Sequence, residues 1–574
     1  MKFRKLRYDL NVTESKYEKS TSWNIAIGSF LTTVIVWAYF TNDPVNTPKL
    51  AIISLTAFIS LGFMITQIRL KKKSFLSWQL ATLVVFFLSW SLISIIVSDT
   101  KFLDGLFGTW GRNTGWLAYL CFALIFIASA SIKNSSAIRR VLTGLYLAGI
   151  VNAAYFVLTL LGVELIPWNN SYNRILGTFG NPNFLGAFMG FFGALLFSRL
   201  MSRDIILKQK LIDLLLLMVT IYEIKLSLAS QGVVVLFVGI SLQLFIWLKI
   251  NRSKVLLILY SIVVGIFSTV ALAGALNMGP LSSFIYKPSV TFRGQYWQAA
   301  WNAGVDHPFF GVGFDSLGFW YGRYRTPGSI IFPGPETTTN AAHNVYLDIL
   351  ASGGFPLFIA YALLNLIVLV KATKLILGMK SFNWVPVALV SVWVCFQTQS
   401  LISINQIGIA IWGWVLSGLI LAYPIANQSE SEVNESPSSK ATTKGRNVIR
   451  KEKTFTLTFG LILGLIGLAI GFQPMRADMN WNRALRPINP TLLEIQAKAW
   501  PLSYMRLMHA SSIYTANGRP DTGLKLAKVA AKEFPDVWMV WDIMLKNPNL
   551  TSIEKEEVLL QLRRIDPLNP NYKK

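Results

Sequence analysis

Residues 337–358, TTTNAAHNVYLDILASGGFPLF, run from a polar loop directly into an apolar segment that continues to residue 370. An apolar run of roughly 20 residues is long enough to cross a lipid bilayer as a helix. The chain has only three histidines, and one of them, His343, stands where the loop meets this run. The stretch therefore predicts a membrane helix with a titratable side chain at its start.

The composition of the whole chain agrees with a membrane protein. Of its 574 residues, 53% are hydrophobic and 14% are charged, which is too apolar for a soluble globular protein. The net charge of +25 could indicate a nucleic-acid partner, but Lys and Arg gather in connections between apolar runs, as they do on the cytoplasmic side of membrane proteins. Cys121 and Cys395 lie inside apolar runs, so we expect neither a disulfide framework nor a zinc site.

Thirteen apolar runs divide the chain, which predicts an all-α polytopic membrane protein with about 12–13 transmembrane helices. Basic residues occupy every second connection, which predicts a cytoplasmic N-terminus and, with an odd number of spans, an extracytoplasmic C-terminus. Whether residues 211–249 form two full spans is left open. The runs cover residues 23–40, 50–67, 77–98, 116–132, 141–163, 182–198, 211–229, 232–249, 254–276, 343–370, 382–404, 406–426 and 454–472.

The sequence divides into four segments. Residues 1–426 form the predicted membrane domain with a long outer loop at 277–342, and residues 427–453 are a Ser/Glu/Lys-rich cytoplasmic linker that we predict to be disordered. Residues 454–472 are the last predicted transmembrane helix, and residues 473–574 form a small extracytoplasmic helical domain. Its amphipathic stretches resemble a degenerate tetratricopeptide hairpin, although a generic helical cap explains them equally.

Arginines in the predicted outer loops are candidates for a binding site. Arg293 opens a predicted amphipathic helix in which Trp297, Ala300, Trp301 and Gly304 share its face, a pattern typical of a helix on the membrane surface. Such an arginine can extend to lipid headgroups while the tryptophans lie at the interface. Alternatively, its planar guanidinium can bind a diphosphate through two parallel hydrogen bonds. The sequence leaves both interpretations open.

His343 also has a structural and a chemical interpretation. Asn340 is the predicted N-cap of the helix, which would place His343 in the first turn, where the helix dipole disfavours imidazolium. A neutral imidazole can take a proton from a hydroxyl group, but a histidine at a helix start can also be purely structural.

Arg112 and Arg174, in other outer loops, are weaker candidates for the diphosphate contact. Asn-Pro-Asn at 181–183 predicts a helix start.

Four stretches, taken in order, carry a resemblance to a known family. They resemble the O-antigen ligase and O-antigen polymerase superfamily of bacterial envelope glycosyltransferases, over most of residues 80–425. The resemblance implies a metal-independent, inverting transferase without a cofactor, whose donor is a glycan on undecaprenyl diphosphate at the outer face of the bacterial cytoplasmic membrane. The stretches are GTFGNPNFLGAF (177–188), FRGQYWQAAWNAGVDHPFFGVGFDS (292–316), HNVYLDILASGGFPLF (343–358) and FQTQSLISINQIGIAIWGWVLSGLI (396–420).

The resemblance also implies roles for individual residues. Arg293 matches the arginine that holds the diphosphate, and His343 matches the histidine that activates the acceptor hydroxyl. The chain has Gln231, between Ser230 and Gly232, where family members often carry Ser-Arg-Gly. We expect Gln231 to line the substrate site, with Arg112 or Arg174 replacing the missing cation.

The predicted function is transfer of an oligo- or polysaccharide from undecaprenyl diphosphate to a glycan, lipid, wall-polymer or protein acceptor, with no nucleic-acid partner. Ligase and polymerase remain alternatives. A lipid-linked oligosaccharide flippase or transporter would instead need cations buried along a passage and internal repeats. A metal-dependent transferase would need paired carboxylates, and Asp43, Asp99 and Asp104 form no evident pair.

Overall fold

A computed structural model of the protein describes residues 16–71, 76–170, 172–251, 254–433, 443–486 and 488–572. Within these ranges the chain is helical and has no β-strand, as predicted.

A helix lies over each apolar run found in the sequence. The first part of the chain contains α1 (Lys16–Val34), α2 (Asn46–Lys71), α3 (Trp78–Val97), α4 (Phe102–Phe107), α5 (Trp116–Ala130), α6 (Ser135–Leu160), a 3-10 turn (Gly177–Phe179), α7 (Pro182–Met201), α8 (Leu207–Ser227), α9 (Ser230–Ile250) and α10 (Lys254–Ala275). The long loop then contains α11 (Ser282–Ile285), α12 (Pro288–Asp306), α13 (Leu317–Tyr324) and α14 (Pro327–Ile331). The later membrane helices are α15 (Val345–Gly378), α16 (Trp384–Ile402), α17 (Ile407–Val433) and α18 (Thr443–Gly471).

Eight helices of the described residues are long and apolar enough to cross a membrane. A ninth span results if Thr456–Gly471 and Gln473–Leu485, which are bent by 44°, cross together. The helices α5 and α17 add shorter apolar segments, whereas α8 carries several charged side chains. The fold therefore fits a multi-pass membrane protein, and the figure of 12–13 spans stays a prediction.

The helix bundle has one strongly basic end. Arg139 of α6 and Arg199 of α7 lie over the ring of Trp384 at the start of α16, with guanidinium carbons 6.0 and 5.4 Å from the ring centroid. Arg199 also forms an ion pair of 2.9 Å with Asp213. The long loop and His343 lie at the other end of α15. The orientation of the bundle in the membrane stays a prediction.

Two glycine contacts shape the region around the predicted site. The start of α9 packs so closely on α7 that a Cβ added at Gly232 would lie 2.7 Å from the carbonyl oxygen of Gly186. Within α15, the backbone breaks at Gly354, whose φ of 70° favours glycine. The preceding loop contacts this break, since the N–H of Phe355 donates to the carbonyl of Pro308 at 2.8 Å. The first turns of α15, which follow His343, are thereby oriented separately from the rest of the helix.

The C-terminal segment is helical, as predicted. It comprises α19 (Gln473–Leu485), α20 (Pro490–Ala497), α21 (Tyr504–Ala516), α22 (Pro520–Glu533), α23 (Trp538–Leu545), α24 (Ser552–Ile565) and a 3-10 turn (Pro570–Tyr572). It packs on the long loop, where Arg325 and Asp566 form a buried ion pair of 2.7 Å. The segment therefore lies at the end of the bundle that holds His343. Its likeness to a tetratricopeptide hairpin and its extracytoplasmic location stay predictions.

The predicted disordered linker, residues 427–453, differs from the structure at both ends. The helix α17 continues to Val433 and α18 begins at Thr443, so both membrane helices extend into the linker. Glu, Gln, Lys and Arg in these segments are compatible with helix, which composition alone did not reveal. Residues 434–442 lie outside the described part of the chain.

Candidate active site

His343 lies outside the helix that it was predicted to begin. The N-cap of α15 is Asn344, whose side chain accepts hydrogen bonds of 3.0 and 3.2 Å from N–H groups of the first turn. The predicted cap at Asn340 is therefore wrong, because Asn344 already satisfies these groups and the helix begins at Val345. The backbone of His343 has a φ of 55°, a left-handed conformation that is uncommon for residues other than glycine.

Contacts on both sides hold His343 in this conformation. The N–H of Ala342 donates to Asp348 Oδ1 at 2.7 Å, which ties the loop to the first turn of α15. On the other side, Arg112 Nη1 donates to the carbonyl of Asn340 at 2.6 Å. These two hydrogen bonds fix the backbone of the loop that leads into His343.

Arg112 is bound within the protein. Its Nη2 lies 3.0 Å from Asp315 Oδ1, and both side chains are buried, with 7% and 2% exposed. The same carboxylate accepts hydrogen bonds from the backbone N–H of Thr109 at 3.0 Å and from the hydroxyl of Thr114 at 3.2 Å. The loop that carries Arg112 is therefore organised around Asp315. The Asp315 carboxylate also neutralises much of the positive charge that Arg112 could otherwise offer to a diphosphate.

Arg293 has the opposite environment. Its side chain is half-buried, and within the described residues it has neither an ion pair nor a hydrogen bond. It lies in the second turn of α12, which begins at Pro288, so the prediction that Arg293 opens this helix is wrong. One turn further, the ring of Tyr296 faces the imidazole of His343, with centroids 5.7 Å apart. This part of α12 therefore lies beside His343 and presents an uncompensated cation.

The face of α12 that Arg293 was predicted to share packs on protein instead of lipid. Ala300 and Gly304 are buried, and a Cβ at Gly304 would lie 2.6 Å from the side chain of Leu350 in α15. Only Trp301 of this face is strongly exposed, at 47%. This face of α12 therefore packs on α15 and does not lie on the membrane surface as predicted. The two helices approach closely because Ala300 and Gly304 are small.

The electrostatic environment keeps His343 neutral. Burial is the first cause and the charges of Arg293 and Arg112 are the next, and together they lower the pKa of His343 to about 4. The sequence suggested the helix dipole as the cause, whereas burial and the two arginine charges are the causes found here. Near pH 7 the imidazole therefore has a free lone pair that can accept a proton.

The other predicted site residues are not joined to this group by any contact in the described part of the chain. Arg174 is exposed, and only its backbone carbonyl is bonded, to the side-chain amide of Asn170 at 2.7 Å. Gln231 is buried near the start of α9, and neither its amide nitrogen nor its amide oxygen has a hydrogen-bond partner. The structure thus brings together His343, Arg293 and Arg112, while roles for Arg174 and Gln231 stay predictions.

Asp315, Tyr296 and Asp348 complete this group, and the sequence interpretation missed all three. They stand in the same outer-loop motifs that supplied the arginine and histidine candidates. Sequence position alone does not show that these acidic and phenolic side chains contact the arginine and histidine candidates. Metal independence stays a prediction: across the described ranges, no group of three or more His, Cys, Asp or Glu side chains is arranged to hold a metal ion.

Comparison with known proteins supports the resemblance seen in the sequence. A family model described as O-Antigen ligase matches residues 214–362. The matched range contains Gln231, Arg293 and His343, whereas Arg112 and Arg174 precede it. A search of curated proteins found no match. Residues 214–362 therefore carry the sequence pattern of an O-antigen ligase, which confirms the resemblance of this chain to the O-antigen ligase superfamily.

Proposed function

We propose that the protein transfers a glycan from undecaprenyl diphosphate to an acceptor at the outer face of the bacterial cytoplasmic membrane, by an inverting, metal-independent reaction. The observation that carries this proposal is the half-buried Arg293, without a protein anion among the described residues, beside the neutral imidazole of His343. The O-antigen ligase match supports glycan transfer in general.

The donor supplies most of the chemical driving force. A lipid diphosphate is a good leaving group, so its departure requires a cation where negative charge develops and no strong acid. Arg293 can donate two parallel hydrogen bonds to phosphate oxygens, a geometry that the guanidinium group favours. Arg293 therefore binds the diphosphate in the ground state and stabilises it as it leaves.

The acceptor requires a base. Its hydroxyl oxygen forms a bond to the anomeric carbon while the bond from that carbon to the phosphate oxygen breaks, and the hydroxyl proton passes to the imidazole of His343. A pKa of about 4 makes the free imidazole a weak base. A bound diphosphate offsets the charge of Arg293 and raises the pKa of His343, so the base strengthens when the donor is present.

A flippase is the rival function, and the environment of the buried cation Lys49 does not favour it. Lys49, which is fully buried near the start of α2, donates to the carbonyls of Thr32 and Thr33 at the end of α1. It thereby satisfies free carbonyl groups at a helix end. We interpret Lys49 as structural and not as part of a passage for a lipid-linked anion.

An assay with purified protein in lipid nanodiscs tests the proposal. The protein is mixed with an undecaprenyl-diphosphate-linked oligosaccharide and a panel of glycan, lipid and peptide acceptors, with and without EDTA. We expect free undecaprenyl diphosphate and a glycosylated acceptor in equal amounts, in both conditions. In proteoliposomes, movement of the intact lipid-linked glycan across the bilayer without cleavage would establish the flippase instead.

The orientation is tested separately. Reporter fusions at Glu435 and at the C-terminus should report opposite sides of the membrane, with the C-terminal helices outside. The same side for both fusions would contradict the extracytoplasmic location of the C-terminal domain.

A further inference from the structure

A cavity lies next to Arg112, and neither His343 nor Arg293 lines it. It has a volume of about 450 Å³, within the range of about 300–1,000 Å³ that is usual for small-molecule sites. Several loops of the membrane domain form its walls, and Arg486, just after α19, adds a wall from the C-terminal domain. We call it the loop cleft.

Aromatic rings line the loop cleft and are held by hydrogen bonds. Trp168 Nε1 donates to the hydroxyl of Tyr155 at 3.1 Å. Tyr172 is 49% exposed, and its hydroxyl accepts a hydrogen bond of 3.3 Å from the amide of Asn181. The rings of Trp168 and Tyr172 thus offer apolar faces at fixed positions, without the loss of conformational freedom that long aliphatic side chains would suffer.

Polar side chains of the same walls lack partners. Asn405 and Gln406 are buried, with 4% and 3% exposed, and each has an amide atom without a hydrogen bond. Asp43 Oδ2 is also buried without a hydrogen bond. A buried polar group without a hydrogen bond is unfavourable, so the accumulation of such groups around one cavity points to a ligand with several hydroxyl groups.

The charges of the loop cleft argue against a second diphosphate. Arg112 is paired with Asp315, and among the described residues the only other cation that lines the cleft is the exposed Arg486. Asp43 adds a carboxylate whose second oxygen has no partner. This balance suits an uncharged ligand, because an anion would meet the carboxylate of Asp43.

The loop cleft is connected to both the reaction site and the C-terminal domain. Arg112 lines it and also bonds the carbonyl of Asn340, three residues before His343. Asp478 of α19 accepts hydrogen bonds from the backbone N–H of Asn42 at 2.7 Å and from Trp110 Nε1 at 3.3 Å. The C-terminal domain therefore holds two walls of the cleft in place.

We propose that the loop cleft binds an uncharged segment of a glycan, with sugar rings against Trp168 and Tyr172 and sugar hydroxyls bonded to Asn405 and Gln406. The inference rests on the proposed function, since it assigns the glycan of that reaction to this cleft. The glycan belongs either to the donor or to the acceptor, and the recognition chemistry is the same for both.

Saturation-transfer NMR on the full chain in detergent tests the binding, with chitotriose, cellotriose and maltotriose as probes. We expect transfer to the ring protons of at least one trisaccharide. Tyr172→Ala and Trp168→Ala should each weaken that binding by about fivefold, the loss expected for one aromatic contact. Trp78→Ala is the control, because Trp78 is 73% exposed and lies at the start of α3, outside the cleft. No transfer to any probe, or equal binding by the cleft variants, would overturn the proposal.

Turnover assays separate the two sources of the glycan and the two hypotheses. A raised KM for the acceptor in Tyr172→Ala assigns the cleft to the acceptor, and a raised KM for the lipid-linked donor assigns it to the donor. Binding of a trisaccharide by a protein that releases no undecaprenyl diphosphate supports the cleft and rejects the reaction. Normal turnover with neither trisaccharide binding nor a changed KM rejects the cleft alone.

Discussion

Arg112 and Arg293 both lower the pKa of His343, yet the protein binds them in opposite ways. Arg112 is buried, pairs with Asp315 at 3.0 Å and donates to the carbonyl of Asn340 at 2.6 Å. Arg293 is half-buried, and the described residues supply it with neither a counterion nor a hydrogen bond. One arginine is bound within the protein, and the guanidinium of the other has no protein partner among the described residues.

This difference shows that residue type and proximity do not assign a function. A buried cation with a carboxylate partner is compensated, and its removal leaves the partner uncompensated. A cation without a partner is itself the uncompensated group, and an anionic ligand relieves it. We therefore expect changes at Arg293 to affect donor binding and changes at Arg112 to affect stability.

The largest effect on turnover is expected at His343, whose pKa both arginines lower. His343→Ala should lower kcat by about 10²- to 10⁴-fold, the usual contribution of a positioned base, while donor affinity stays nearly unchanged. Steady-state kinetics on detergent-stable protein with a matched melting temperature measure this. If His343→Gln retains normal turnover and His343→Ala lowers only protein yield, His343 is a structural residue.

The next effect is expected at Arg293. Arg293→Lys keeps the charge but loses the two-pronged geometry, so it should raise the KM for the donor by about tenfold to hundredfold. Its melting temperature should stay close to that of the parent protein, since no protein partner is lost. Arg323→Lys is the matched control in the same loop, because Arg323 already pairs with Asp536 at 3.3 Å. An equal rise in the KM for the donor in both variants would contradict the distinction between an arginine without and an arginine with a protein counterion.

Arg112 should show the reverse pattern. Arg112→Met leaves the buried Asp315 without its cation, which should lower the free energy of unfolding by about 3–5 kcal/mol. Chemical denaturation followed by near-UV circular dichroism measures this. The double variant Arg112→Met with Asp315→Asn should recover part of the loss, since neither charge is then left alone. A stable Arg112→Met protein with weak donor binding would make Arg112 a second diphosphate ligand.

The fold was predictable wherever local chemistry decides it. Each apolar run coincides with a helix, because a segment that crosses lipid needs a continuous apolar surface and internally bonded backbone groups. Asn181 and Pro182 predicted the start of α7, where the Asn181 side chain does cap the helix at 2.8 Å. Before α15, however, both Asn340 and Asn344 could serve as the cap, and the contact of Ala342 with Asp348 favours Asn344.

The sequence indicated the candidate residues Arg293 and His343, but not which arginine has a protein partner. Arg293 and His343 stand in stretches that carry the family resemblance. Arg112 and Asp315 are distant in sequence, and no periodicity links them, so the ion pair depends on how the two loops pack. Whether an arginine has a counterion is therefore a property of the tertiary structure.

The smallest effect is expected in the pH dependence, which measures how each arginine acts on His343. The pKa of His343 is about 4 because burial and two positive charges disfavour imidazolium, so protonation removes the base only below that pH. The acid limb of kcat/KM for the donor, which reports the free enzyme, should therefore lie near pH 4, far below the ordinary histidine range. The acid limb of kcat should lie at higher pH, because the bound diphosphate offsets the charge of Arg293.

Arg293→Gln removes one positive charge and should move the limb of kcat/KM upward by about one pH unit or less. In that variant the limb of kcat should still lie above that of kcat/KM, because the negative charge of a bound diphosphate favours imidazolium whether or not Arg293 is present. A pH profile of the parent protein in which both limbs coincide would show that no diphosphate binds beside His343.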